Sequence, residues 1–135
     1  MASTSDFGAQ DDRTLPTVVY ALYLLGLING LTVLIGLVIA YANRSRAGYV
    51  ADSHYLFQIR TFWIGLAMWF VAGLCMLWGT MWGWIPVIGV VGLPFLVMGG
   101  LLFGLVHLWF AVRCILGLVH LSRGEAYPRP RAWLA

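Results

Sequence analysis

The sequence predicts an all-α protein, an integral membrane helical bundle with three transmembrane helices. Three observations carry this. The 135 residues are 61% hydrophobic and only 10% charged, with a mean hydropathy of +0.87, whereas soluble domains carry about 25% charged residues. A soluble domain of this size has too little interior to hide so much apolar side chain. Second, the chain holds uncharged apolar runs longer than the ~20 residues needed to cross a bilayer. Third, there is no lysine, and seven of the eight arginines lie beyond residue 43, beside the ends of those runs. A basic balance of this kind reads as membrane topology rather than nucleic-acid binding.

Residues 1–14, "MASTSDFGAQDDRT", are polar and aperiodic and predict a flexible tail. They hold three of the five acids, Asp6, Asp11 and Asp12. The first span is expected over residues 15–42. Pro16 suits a first helical turn, where its missing N–H matters least. "AYA" at Ala40–Ala42 imitates a signal-cleavage site, but the run far exceeds the ~7–15 residues of a signal h-region, so it reads as retained. Gly26, Asn29, Thr32, Gly36, Ala40 and Asn43 fall on one face of this helix. Together with Gly30 in the Gly26-xxx-Gly30 spacing, they are candidates for helix packing in lipid. A bend is expected near Gly26–Gly30, and Asn29 is expected to bond between helices.

A short basic loop with Arg44 and Arg46 leads to the second span, over about 54–78, with Asp52 or Ser53 as N-cap. Its start is amphipathic: His54, Gln58 and Thr61 share one face while Arg60 points elsewhere. Gly65, Met68, Ala72 and Gly79 make a second small-residue stripe, and Trp82 and Trp84 read as an interfacial aromatic belt. Residues 84–94 carry Pro86, Gly89, Gly92 and Pro94 and are expected to be irregular or re-entrant. The last span follows over about 95–121, with Gly100-xxx-Gly104 as a packing motif. A fourth crossing, broken near Gly99–Gly104, is the alternative. Charge bias favours three spans, because they leave the loop with Arg44 and Arg46 and the tail with Arg123, Arg129 and Arg131 on one cytoplasmic side, with the N-terminus outside. Residues 15–122 thus form a single transmembrane domain, and 123–135 a basic C-terminal tail. In that tail Gly124 suits a C′ position and Pro128 and Pro130 forbid further helix.

The stretches "SHYLFQIRTFW" and "VRCILGLVHLSRGEAYPRPRAW" resemble a family of small bacterial membrane proteins related to the chloroplast inner-envelope protein-import component, which includes the magnetosome proteins of the MamF and MmsF type. The likeness runs from about Leu15 to Trp133. Phe57-Gln58 stands where that family shows an Asn-Phe-Gln signature, with Leu56 in place of the asparagine. The resemblance implies a compact helical bundle in a bacterial cytoplasmic (inner) membrane, without established enzyme activity, and a role in membrane assembly or organisation.

The candidate site is a set of polar residues at membrane depth: Arg60, Arg113, His120, His54 and Gln58. Arg60 and Arg113 lie at similar depth from the same face, and two readings stand for them. Both guanidinium groups snorkel to lipid phosphates and water, or they fork onto an anionic headgroup in a defined pocket. Haem chemistry would use His54 with His120, but no attachment motif exists and no cofactor is expected. Two cysteines, Cys75 and Cys114, give neither a disulfide framework nor a metal cluster. No Ser–His–Asp set, paired carboxylate, phosphate loop or HExxH is present. The sequence therefore points to a non-enzymatic structural, assembly or interaction protein. Its expected partners are membrane lipids, anionic headgroups among them, other membrane proteins or further copies of itself. The alternative is an oligomeric conduit or carrier for an ion or small solute, using His107 and the other intramembrane polar groups.

Overall fold

The computed structural model describes residues 13–133, so the tail expected over 1–14 lies almost wholly outside the described residues, as does the chain beyond Trp133. Among the described residues there are four helices and no strand. They are α1 (Thr14–Asn29), α2 (Leu31–Arg44), α3 (Tyr49–Gly83) and α4 (Gly89–Ser122). The chain divides into two compact units. One comprises residues up to Phe62 together with those from Ala111 onward, and the other is Trp63–Phe110.

In the first unit, the single span expected over 15–42 is instead two helices. The chain reverses at Gly30, whose φ of 72° is a left-handed value that side-chain-bearing residues rarely adopt. Its N–H reaches the Gly26 carbonyl at 2.7 Å, ending α1. The Thr32 hydroxyl then donates to the Leu22 carbonyl at 2.8 Å. Ten residues apart on one straight helix, those groups would be separated by about 15 Å. A Cβ on Gly26 would overlap Val33, and one on Gly36 would stand 2.9 Å from the Tyr23 ring. So Gly26 and Gly36 do pack helices, but α1 against α2, while Gly30 makes the turn. Asn29 bonds locally: its Oδ1 accepts from the amide and the hydroxyl of Thr32, both at 3.2 Å. With 16 and 14 residues, the two arms rise about 24 and 21 Å, short of the ~30 Å hydrocarbon core.

The ends of the described chain meet. Gly124 has a φ of 70° and closes α4 with two bonds, Glu125 N–H to the His120 carbonyl at 3.0 Å and Gly124 N–H to the Leu121 carbonyl at 2.9 Å. That is the Schellman pattern, with glycine at C′ as its sequence predicts. The Arg13 guanidinium lies where a Cβ on Gly124 would be.

The second unit contains no Asp, Glu, Lys or Arg. Its parts of α3 and α4 run antiparallel with their backbones in close approach. A Cβ on Gly79 would stand 2.7 Å from the Leu96 nitrogen, one on Gly92 would stand 2.5 Å from the Gly79 carbonyl oxygen, and one on Gly99 would stand 2.6 Å from the Met76 side chain. Gly65 faces Phe110 in the same way, at 3.3 Å. Gly100 and Gly104, the expected packing pair, face open space. The irregular stretch expected over 84–94 shrinks to 84–88, because α4 already begins at Gly89 and carries Pro94 within it.

Candidate functional site

The first unit buries polar side chains that apolar packing alone does not require. His54, Gln58, Thr61 and Arg113 are 0 or 1% exposed. All three α3 residues lie on the face that the sequence assigns to them, and helical spacing explains why they converge.

Arg113 is the centre of the site. Its Nε donates to the Thr61 hydroxyl at 2.9 Å, and its Nη1 donates to the carbonyls of Ala132 and Trp133 at 2.9 and 3.0 Å. Its guanidinium sits 4.0 Å from the centroid of the Phe57 ring, and that ring stacks on Tyr127 at 3.8 Å. Neither sequence reading of Arg113 survives: the group neither snorkels nor reaches outward for a headgroup. It is enclosed by protein, and the polypeptide after Pro128 supplies neutral carbonyls in place of a counter-ion. Charge-assisted bonds of this kind are about twice as strong as neutral ones, and a cation over a desolvated ring adds roughly 1–2 kcal/mol.

The chain beyond α4 is held along α3 as a strap. The His54 Nε2–H donates to the Glu125 carbonyl at 2.9 Å. A carbonyl can only accept, so in the neutral ring Nδ1 is the acceptor, and it takes the Tyr20 hydroxyl at 3.0 Å. Both nitrogens of His54 are thus engaged, one to the strap and one to α1. The Tyr127 amide donates to the Ser53 hydroxyl at 3.0 Å, and burial pushes the Tyr127 phenol above its ordinary range while the Arg113 charge pulls the other way. Gln58 donates to the Pro16 carbonyl at 2.9 Å. Tyr20 also fills the space beside Gly117, which has room for no Cβ.

His120 lies apart from His54's bonds. Its Nδ1 donates to the Leu116 carbonyl at 2.8 Å, and its ring packs on Tyr127 at 5.1 Å. His107 belongs to the second unit and bonds its own helix, at the Phe103 carbonyl. Arg60 stays half-exposed at the edge of the cluster with its Nε buried and unpartnered. Among the described residues, eight arginines face two carboxylates, and one of those, Asp52, is taken by Arg44 at 3.0 Å. No three His, Cys, Asp or Glu residues among them are grouped to hold a metal ion.

Sequence reasoning missed Tyr20, Tyr23 and the strap. Tyr20 and Tyr23 carry the polar tips in the middle of α1, between Thr17 and Asn29, and that was the available signal. The strap's contribution is backbone carbonyl, which no side-chain pattern announces. No protein-family model, curated protein or solved structure matches the chain.

Proposed function

We propose that this chain is a non-enzymatic membrane protein with a structural or assembly role, anchored by α3 and α4 and contacting anionic lipid with its basic end. The observation that carries this reading is the separation of charge along two helices. α3 and α4 are long and apolar enough to cross a membrane, and only 17% of the most apolar stretch of each is buried, where a soluble core helix would be mostly buried. Their charge-free lengths, 61–83 and 89–112, rise about 34 and 36 Å, matching a hydrocarbon core of ~30 Å. Trp63 and Trp82 bound the same interval on α3, about 28 Å apart by helical rise, as interfacial aromatics do.

In this arrangement α1 and α2 are a re-entrant hairpin. Their rise of 24 and 21 Å fits one leaflet with its headgroups, roughly half of the 40–45 Å total. Both ends of the described residues then share the cytoplasmic face with all eight arginines, in keeping with the positive-inside tendency. This replaces the expected external N-terminus. The buried polar groups His54, Gln58, Thr61 and Arg113 hold elements together, which favours a structural role over a conduit. A bacterial cytoplasmic membrane and a part in membrane assembly follow from the resemblance noted above.

The test is topological. Epitope tags fused at each end, in right-side-out and inverted vesicles, are expected to become accessible from the same compartment. Tags exposed on opposite sides would refute the hairpin, and release of the protein by alkaline carbonate would refute membrane integration. Solute flux from liposomes that is lost in a His107→Ala variant would move the assignment to the conduit.

A further inference from the structure

The strap does more than close over Arg113: with Leu56 it forms a groove of about 510 Å³ lined by Leu56, Arg129, Pro130, Arg131 and Ala132. Arg60 follows Leu56 by one helical turn, on the same face of α3. Ala132 lines the groove and also accepts from Arg113, which in turn bonds the hydroxyl of Thr61, the residue next to Arg60, so Arg60 and the groove share one neighbourhood. Arg129 and Arg131 are exposed, Arg60 is half-exposed, and the Arg60 Nε is buried without a partner. No carboxylate lines the groove. The surface lining the groove is almost wholly apolar, and two of the residues that form it, Arg129 and Arg131, carry exposed charges, a combination that suits an amphiphile with an acyl chain and an anionic head.

Depth supports the same reading. Trp63 is the aromatic residue at this end of the proposed span, and Arg60 precedes it by three residues, about 4.5 Å by helical rise. That is the level of lipid phosphates, which sit just beyond the hydrocarbon. Three arginines without a carboxylate suit a doubly charged phosphate monoester better than a singly charged diester.

Resting on the membrane reading above, we propose that this groove is a binding site for a phosphate monoester, with Arg60, Arg129 and Arg131 as its ligands and a phospholipid headgroup as its source.

The test uses the full chain in nanodiscs of phosphatidylcholine doped with either phosphatidic acid or phosphatidylglycerol, with retained lipid counted by native mass spectrometry. General attraction to anionic lipid is worth roughly fivefold per arginine and acts on both lipids alike. The wild type is therefore expected to retain phosphatidic acid preferentially, and Arg60→Gln combined with Arg131→Gln is expected to lower that preference about tenfold. Arg46→Gln, away from the groove, is expected to leave it unchanged. Equal retention of the two lipids, or equal loss of preference in Arg46→Gln, would overturn the site. A second arm adds inorganic phosphate to protein in neutral nanodiscs: tight binding there, lost in the double variant, would keep the phosphate site and reassign its source to the aqueous phase. A failed preference in protein that stays integrated in the nanodisc rejects the site alone, whereas protein that never integrates rejects the membrane reading. Circular dichroism of each variant confirms that helicity is retained.

Discussion

Where α3 and α4 come together at Thr61 and Arg113, side chains join them. Where they come together at Gly79 and Gly92, backbones do. In the first unit a buried guanidinium, a hydroxyl and two strap carbonyls are bonded in one cluster. In the second no charged residue is present, and glycine lets one helix lie directly on the other. In the proposed membrane arrangement, the difference follows from the solvent each unit would meet. At the headgroup level, water and phosphate compete for polar groups, so a polar cluster must be enclosed to hold. In hydrocarbon there is no apolar driving force between helices, and close contact of small residues is what remains. One unit is therefore specified by hydrogen bonds and the other by steric fit.

That contrast can be broken from either side. The largest effect is expected from Arg113→Leu, which removes the buried donor shared by the Thr61 hydroxyl and the carbonyls of Ala132 and Trp133. A loss of about 3 kcal/mol is expected, together with release of the strap. Thermal unfolding in detergent measures the first, and faster proteolysis after Arg123 measures the second. A wild-type proteolysis pattern would show that the cluster does not hold the strap.

Gly92→Val is expected to cost somewhat less, about 1–3 kcal/mol, because its Cβ collides with backbone rather than with a movable side chain. The same melting assay reads it, and the strap should stay protected. Tyr20→Phe removes one hydroxyl from His54 and should cost about 1 kcal/mol. Gly100→Ala and Gly104→Ala meet open space and should change melting by less than about 0.5 kcal/mol in a monomeric preparation. A large loss at either would place the real contact face on the other side of α4.

Much of the polar cluster was readable in advance. The spacing of His54, Gln58 and Thr61 puts them on one face and Arg60 off it, and burial divides them the same way. Gly65, Ala72 and Gly79 also pack as their stripe predicts. The hairpin was not readable, because an uncharged apolar run with glycines looks the same whether the helix bends or reverses. Gly100 and Gly104 have the spacing of a packing motif, as do many glycines on α4. Periodicity says which residues share a face, but not which face meets a neighbour. Arg113 defeated both sequence readings because, besides the Thr61 hydroxyl, its partners are main-chain carbonyls from a segment nineteen and twenty residues away.

The reversal at Gly30 bears on how such a chain enters a bilayer at all. With both arms of α1–α2 returning to the starting side, no ionised group among residues 13–133 needs to be carried through the lipid interior. The piece delivered to the far surface is the connector Trp84–Ile88, which bears no charge and no hydroxyl. Insertion of the proposed arrangement therefore asks almost nothing of a translocation channel, and the α3–α4 pair can partition into the membrane together as a preformed unit.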